Sequence, residues 1–272
     1  VLFAGVDLPA NTPREQIQEA YRKLTSAVQE SQPGASVAIV DAAPFTQRRA
    51  ILPFRWNRDA SVVARPTAGV TWASPAFLEI AGGRLMAGRW FDHTDGEKTV
   101  PVVVASESFV KRFGEGREVV GRELLLGEDA SPVRIVGVVA DIPWDSFNAY
   151  GTALYRPFIQ SADRSADLLV RARGAAENPV ELAPVVRGAL RQIDPDAVLR
   201  STRSLSIVIR DERVGLAYIA STLAVLGLIA LVLSSVGVYA LVAFTVTERM
   251  KEFGVRMALG ATSGVLVRMV LG

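Results

Sequence analysis

Cysteine is absent from this 272-residue sequence, and histidine occurs once, as His93. The absence of cysteine excludes disulfide bonds and thiolate chemistry, and a single histidine cannot supply the pair found in zinc sites and metalloprotease motifs. Near His93, the carboxylates of Asp92, Asp95 and Glu97 lack the spacing of a twelve-residue calcium loop. We therefore predict a solvated turn here and no metal site.

Motifs for nucleotide binding and nucleophilic catalysis are also missing. Gly83–Trp90 has the glycine spacing of a phosphate-binding loop, but Arg89 and Trp90 replace the lysine and the hydroxyl residue that contact phosphate and magnesium. No serine lies in a Gly-x-Ser-x-Gly motif. Asp141 and Asp145 flank Ile-Pro-Trp at a strand end, where an exposed loop explains them better than catalysis. We expect no catalytic residue, no cofactor-binding residue and no enzymatic activity in this chain.

Charge is absent from the 34 residues of Val214–Thr247. A bilayer is crossed by about 20 apolar helical residues, so this run predicts a transmembrane helix. At about 1.5 Å per residue it reaches about 50 Å, which exceeds a hydrocarbon core of about 30 Å. We expect the helix to tilt or to continue beyond the membrane as a stalk.

The charges that flank this run predict its orientation. Arg249, Lys251 and Arg256 follow it, whereas the basic and acidic residues of 210–213 cancel, so the positive-inside rule places the C-terminal side in the cytoplasm and residues 1–213 outside. Residues 1–213 hold 26 Lys/Arg and 26 Asp/Glu. This neutral balance argues against nucleic acid as a partner.

The first 205 residues show mixed helical and strand patterns, which predict an α+β fold class. Thr12 and Glu15 form a capping-box pattern before a helix whose apolar residues recur at helical spacing: Ile17, Tyr21, Leu24 and Val28. The elements suggest an extracytoplasmic domain over 1–205 with two lobes, 1–74 and 150–205, and an inserted β-rich subdomain over 75–149. Residues 45–60 are expected to form a polar and aromatic loop.

Small residues recur along the apolar run at intervals of three or four, with a gap at Leu231. They are Ala220, Ala224, Gly227, Ser234 and Gly237. Small residues let helix backbones approach closely in lipid, so we predict a helix-packing face, although ordinary transmembrane composition would produce a similar pattern.

The segment after the apolar run predicts a short amphipathic helix over 248–262. Met250, Phe253 and Met257 fall on one face, and the charged residues occupy the others. Gly260 can end this helix, and the apolar residues 263–272 begin another membrane helix. The short helix either lies at the lipid headgroups or docks a cytoplasmic partner. We expect the sequence to be a segment of a longer multi-span membrane protein.

Several motifs resemble a known family. Glu248–Thr262, "ERMKEFGVRMALGAT", resembles the signature that follows the second transmembrane helix of FtsX-like permeases of ATP-binding-cassette (ABC) systems. Phe77–Asp92, "FLEIAGGRLMAGRWFD", together with "VPVVVASESFVKRF", "VVGRELLL" and "VRIVGVVAD", resembles the MacB-type periplasmic core domain.

The resemblance implies a permease of the bacterial inner membrane with its periplasmic domain inserted between helices one and two. Helix two would span 206–247, 248–262 would be a cytoplasmic coupling helix and 263–272 the start of helix three. The residues implied to dock the ATPase are Arg249, Lys251, Glu252, Phe253, Arg256 and Met257.

The implied partners are a cytoplasmic ABC ATPase, fused or separate, that binds the ATP, a second permease copy forming a dimer, a periplasmic adaptor or envelope protein, and membrane lipid. The alternative function is an extracytoplasmic ligand-binding sensor that signals through one transmembrane helix.

Overall fold

The computed structural model describes residues 1–46, 49–57, 65–96, 99–143, 151–161, 163–172, 182–248 and 255. The chain divides into two compact units, Val1–Glu212 and Arg213–Gly272. The first is a β-rich α+β domain, and the second contains most of one long apolar helix. The predicted α+β fold class followed by a transmembrane helix is confirmed.

The strands are β1 Leu2–Asp7, β2 Ser36–Val40, β3 Ala50–Trp56, β4 Thr67–Ala73, β5 Leu85–Gly88, β6 Val102–Ser106, β7 Glu123–Leu126, β8 Ser131–Val139, β9 Ala153–Pro157, β10 Ser165–Arg171 and β11 Val198–Ser204. The helices are α1 Arg14–Ser31, α2 Phe77–Ile80, α3 Glu107–Phe113, α4 Ala183–Ile193 and α5 Leu205–Glu248, with a 3-10 turn at Phe158–Gln160.

Four strands form an antiparallel layer in the order β11-β1-β10-β2. The chain runs β1-α1-β2, leaves this layer, and returns as β10-α4-β11, which is a split βαβ arrangement. Helices α1 and α4 share one apolar core with alternate residues of these strands. Their apolar stripes face the sheet because burying that surface is the main favourable term in folding.

Helix α1 confirms the predicted apolar face but not the predicted cap. Ile17, Tyr21, Leu24 and Val28 are all buried. Pro13 occupies the N-cap position without a side-chain hydrogen bond, so the capping box expected from Thr12 does not form. Proline fixes the backbone conformation at the helix start but has no side-chain acceptor for the free N–H groups of the first turn.

The middle of the chain forms a closed ring of six strands. In ring order, β4 pairs with β3, β3 with β7, β7 with β8, β8 with β6, β6 with β9, and β9 with β4. Closure leaves no unpaired edge among these strands. Their apolar residues share a core with α3. One residue pair, Val40 with Ala73, joins the ring to the antiparallel layer.

Two strands were not expected from the sequence. Strand β3 lies where a loop was predicted, and it buries Phe54 and Trp56 at period two between β4 and β7. Strand β5 lies within Gly83–Trp90, where no strand was predicted, and pairs with β8 where a Cβ on Gly137 would lie 2.1 Å from the carbonyl oxygen of Arg89. Strands β3 and β4 belong to the ring although both precede residue 75, the predicted start of the inserted subdomain. The limits of that subdomain stay a prediction.

Helix α5 is 44 residues long, and Ala217–Glu248 is long and apolar enough to cross a membrane. None of its most apolar window is buried within the chain. The coupling helix predicted over 248–262 and the membrane segment predicted over 263–272 lie outside the described residues, except Glu248 and Val255.

Candidate functional site

The predicted helix-packing face lies on α5. Ala220, Ala224, Gly227, Ser234 and Gly237 are all exposed. A Cβ added to Gly227 or Gly237 would meet nothing within 4 Å, so the surface is open within the part of the chain that the structure describes. Its use as a packing face stays a prediction.

Polar side chains on α5 bond to the helix's own backbone. The hydroxyl of Ser235 donates to the carbonyl oxygen of Leu231 at 2.8 Å, and Thr245 donates to Leu241 at 2.9 Å. The hydroxyl of Thr222 likewise donates to the backbone carbonyl oxygen of the residue four positions earlier. These bonds satisfy hydroxyl donors that would otherwise be unpaired in lipid.

The residues predicted to dock the ATPase lie outside the described part of the chain. They are Arg249, Lys251, Glu252, Phe253, Arg256 and Met257. Their role therefore stays a prediction.

The turn that contains His93 is not wholly solvated, contrary to expectation. Asp95 is 4% exposed, and its two oxygens accept bonds from the two terminal nitrogens of Arg89 at 2.6 and 2.7 Å. Asp95 also accepts the backbone N–H of Asp92 at 3.0 Å. The hydrogen bond from Arg89 lowers the pKa of Asp95. A buried carboxylate is tolerated because a bidentate arginine compensates it.

The aspartates around Ile-Pro-Trp do not form a described pair. Asp141 accepts the backbone N–H of Ser108 at 2.9 Å and the hydroxyl of the same residue at 2.5 Å, which stabilises the first turn of α3. Asp145 lies outside the described residues. No group of His, Cys, Asp or Glu among the described residues is arranged to hold a metal ion.

A groove in the first unit, which we call the α1 groove, was not foreseen from the sequence. It has a volume of about 370 Å³ and lies between α1, the end of β9 with the 3-10 turn, and the turn at Asp92. Its floor includes Tyr21, Ile39 and Phe158, all buried. The rings of Tyr21 and Phe158 meet edge to face with centroids 5.3 Å apart.

Hydrogen bonds fix the walls of the α1 groove. The amide nitrogen of Gln18 donates to the carbonyl oxygens of Phe158 and Ser161 at 2.9 and 2.7 Å, which ties α1 to the 3-10 turn. Trp90 donates from its indole nitrogen to the carbonyl oxygen of Pro75 at 3.0 Å. The bonds of Asp95 position the turn from the other side. Hydrogen bonds within the protein therefore hold the walls of the groove.

The rim of the α1 groove carries three carboxylates, one arginine and His93. Glu19 binds Arg22 through two hydrogen bonds of 2.8 and 2.7 Å, which neutralises both. Glu15 and Asp92 form no ion pair with any residue in the described part of the chain. Hydrogen bonds from Thr94 lower the pKa of Asp92.

Comparison with known proteins identifies related domains. A family model described as the MacB-like periplasmic core domain matches residues 9–183. The Macrolide export ATP-binding/permease protein MacB of Neisseria gonorrhoeae is 24% identical over 246 residues, covering 86% of this chain and 35% of that protein. The protein of the same name from Chromobacterium violaceum is 28% identical over 202 residues, covering 72% of this chain and 30% of that protein.

The chain thus spans about a third of the length of these relatives. Among solved structures, the periplasmic region of MacB from Actinobacillus actinomycetemcomitans is 16% identical with a TM-score of 0.49, covering 74% of this chain and 88% of that one. The extracellular domain of the ABC-type transporter YknZ from Gram-positive bacteria is 12% identical with a TM-score of 0.47, covering 74% of this chain and 100% of that one.

Proposed function

Because the chain belongs to the family of MacB-like periplasmic core domains, we propose that it is the permease portion of a MacB/FtsX-type ABC system. The observation that carries the proposal is the family match over residues 9–183, followed in the same chain by a helix long and apolar enough to cross a membrane. Such a portion would serve efflux or an envelope process such as lipoprotein release.

The proposed topology places residues 1–213 in the periplasm and 248–262 in the cytoplasm. It is supported by the uncharged run Val214–Thr247 and by the three basic residues that follow it within nine positions. The span contains no Asp, Glu, Lys, Arg or His, so no ionisable side chain of these types opposes its entry into lipid.

Helix α5 would transmit motion between the membrane and the periplasmic domain. It begins at Leu205, directly after the last residue of β11, so no loop interrupts the chain between strand and helix. The N–H of Leu205 donates to the carbonyl oxygen of Val1 at 3.0 Å. A displacement along the helix would therefore act on β11 and, through its antiparallel pairing, on β1.

The force would come from an ABC ATPase, fused or separate, that binds ATP and grips residues 248–262. Phe253 and Met257 would enter a groove of the ATPase, and Arg249, Lys251, Glu252 and Arg256 would form polar contacts at its rim. Further proposed partners are a second permease copy, which would meet the small residues of α5, a periplasmic adaptor or envelope protein, and membrane lipid. This chain would bind no cofactor itself.

Phe253→Asp tests the proposal in the full-length protein with its ATPase in proteoliposomes. A charge in the apolar anchor should abolish permease-dependent stimulation of ATP hydrolysis, because the docking contact loses its buried aromatic group. Membrane insertion should be unchanged.

Val255→Asp is the matched control, since two residues along a helix place it on nearly the opposite face from Phe253. It should retain stimulation. Full stimulation in Phe253→Asp, or equal losses in both variants, would argue against docking through this face.

A further inference from the structure

The α1 groove has the dimensions and lining of a small-molecule site. Its volume of about 370 Å³ falls in the range of pockets that hold drug-sized ligands, about 300–1,000 Å³. Its floor of Tyr21, Ile39 and Phe158 is apolar, and Ile159 at its lip is an apolar side chain left 42% exposed. An apolar body would gain free energy by covering this surface.

The charges of the rim determine which sign of ligand charge the groove favours. Arg22 is held by Glu19, so the acidic rim groups without an ion pair to any described residue are the carboxylates of Glu15 on α1 and Asp92 on the turn. Arg89 and His93 oppose the charge of Asp92 only in part, because Arg89 is bound by Asp95. Both hydrogen bonds from Thr94 reach Oδ1 of Asp92, so Oδ2 accepts no hydrogen bond from the described residues. The rim therefore attracts a cation and repels an anion.

From these features we infer that the α1 groove binds a small organic cation with an apolar body. The apolar part lies over Tyr21, Ile39 and Phe158, and the cationic group lies between Glu15 and Asp92. The walls are fixed before binding by the bonds of Gln18, Trp90 and Asp95, so little ordering opposes association. The inference goes beyond the proposed function and does not depend on it, because binding requires neither ATP nor an ATPase.

The test uses two rigid ions of nearly the same size and shape but opposite charge, tetraphenylphosphonium and tetraphenylborate. Binding is measured by equilibrium dialysis against the chain in zwitterionic nanodiscs, with partition into empty nanodiscs subtracted. The expected result is saturable binding of the phosphonium and at least about fivefold weaker protein-specific binding of the borate.

Two variants locate the binding. Glu15→Gln with Asp92→Asn removes both charges and should weaken phosphonium binding at least about fivefold. Thr25→Trp should abolish it, since Thr25 lines the groove and its hydroxyl donates to the carbonyl oxygen of Arg22 in the same helix, so the change breaks no described bond between elements. Glu30→Gln removes an exposed carboxylate of α1 outside the groove and should leave binding unchanged.

Each variant is first shown to unfold at the wild-type temperature. The inference is wrong if the phosphonium shows no saturable binding above empty nanodiscs, if Thr25→Trp binds it normally, or if both ions bind equally. Phe253→Asp distinguishes a failure of this inference from a failure of the proposed function. That variant should lose ATPase stimulation and still bind the phosphonium.

Discussion

Strand β6 and helix α5 are both rich in valine and other apolar residues, yet they differ in how far these residues are buried. All five residues of β6, Val102–Ser106, are buried between β8 and β9. In α5, the most apolar window is wholly unburied. The first unit buries its own apolar residues, whereas the described residues leave the apolar window of α5 unburied, and its length and composition fit a bilayer.

The two regions also differ in where their backbone hydrogen-bond partners lie in the sequence. Strand β6 depends on two partners from distant parts of the sequence, whereas α5 satisfies its backbone and most of its serine and threonine hydroxyls within a few residues. Helices and closed barrels are the structures that cross membranes for this reason. The two regions therefore respond differently to the same substitution, and three predictions compare them.

The largest expected effect is a phenylalanine truncation in the ring core. Phe109 is 0% exposed and contacts Phe54 and Phe113 at centroid distances of 4.9 and 5.3 Å. Phe109→Ala should lower the free energy of unfolding of the first unit by about 3–5 kcal/mol, through lost burial and a cavity. Denaturant unfolding of the chain in detergent, followed by tryptophan fluorescence, measures it, since all four tryptophans lie within residues 1–213.

Phe244→Ala is the control because the same side chain on α5 is 67% exposed. It should change that free energy by less than about 0.5 kcal/mol. A loss comparable to that of Phe109→Ala would mean that Phe244 packs against protein, and the contrast between the two regions would fail.

A charge placed in α5 should have the next largest effect. Leu233, near the middle of the apolar run, is 67% exposed, and Ile51 on β3 is 70% exposed. Leu233→Lys should raise the free energy of membrane insertion by about 2.5–3.5 kcal/mol, because a charge near the bilayer centre is poorly solvated. The measurement is the inserted fraction in a translocon assay.

Ile51→Lys should change neither insertion nor the unfolding free energy by more than about 0.5 kcal/mol, since its surroundings are water. Equal insertion of the wild type and Leu233→Lys would show that α5 is not in lipid. A large loss from Ile51→Lys would instead show that this exposed side chain is covered by a partner.

The same contrast explains which elements could be predicted from the sequence. The span was predictable because 34 uncharged residues suffice without any partner. The apolar face of α1 was predictable because its spacing is local. Strand β3 was not, since Pro53 is unusual inside a strand, and the burial of Phe54 and Trp56 depends on strands from elsewhere in the chain.

The ring and the α1 groove could not be predicted from local pattern at all. Ring closure depends on the pairing of β4 with β9, and the strands β5 to β8 lie between these two in the sequence. The groove is assembled from α1, β2, the turn at Asp92 and the 3-10 turn, and each contributes only a few residues. No single segment of the sequence carries its apolar floor together with its acidic rim.

The smallest expected effect concerns pH. The span has no acidic side chain, whereas Asp41 is largely buried in the first unit. Burial raises the pKa of Asp41 from 3.8 to about 7, and Asp163 and Asp167 raise it further, although hydrogen bonds from Ala42 and Trp72 oppose the shift. The folded state therefore binds the proton more tightly than the unfolded state, so stability should fall as pH rises from about 4 to about 7.

Asp41→Asn should remove this loss, because Oδ1 alone accepts both backbone N–H groups, at 2.8 and 3.0 Å, and the asparagine oxygen can replace it. Above pH 7 the variant should be more stable than the wild type by about 1–2 kcal/mol, and its stability should vary less between pH 4 and 7. Asp129→Asn, at an exposed hairpin tip, is the matched control and should keep the wild-type pH profile. An unchanged pH profile in Asp41→Asn would place the pH dependence of the first unit in other groups and leave the carboxyl of Asp41 ionised in the folded state.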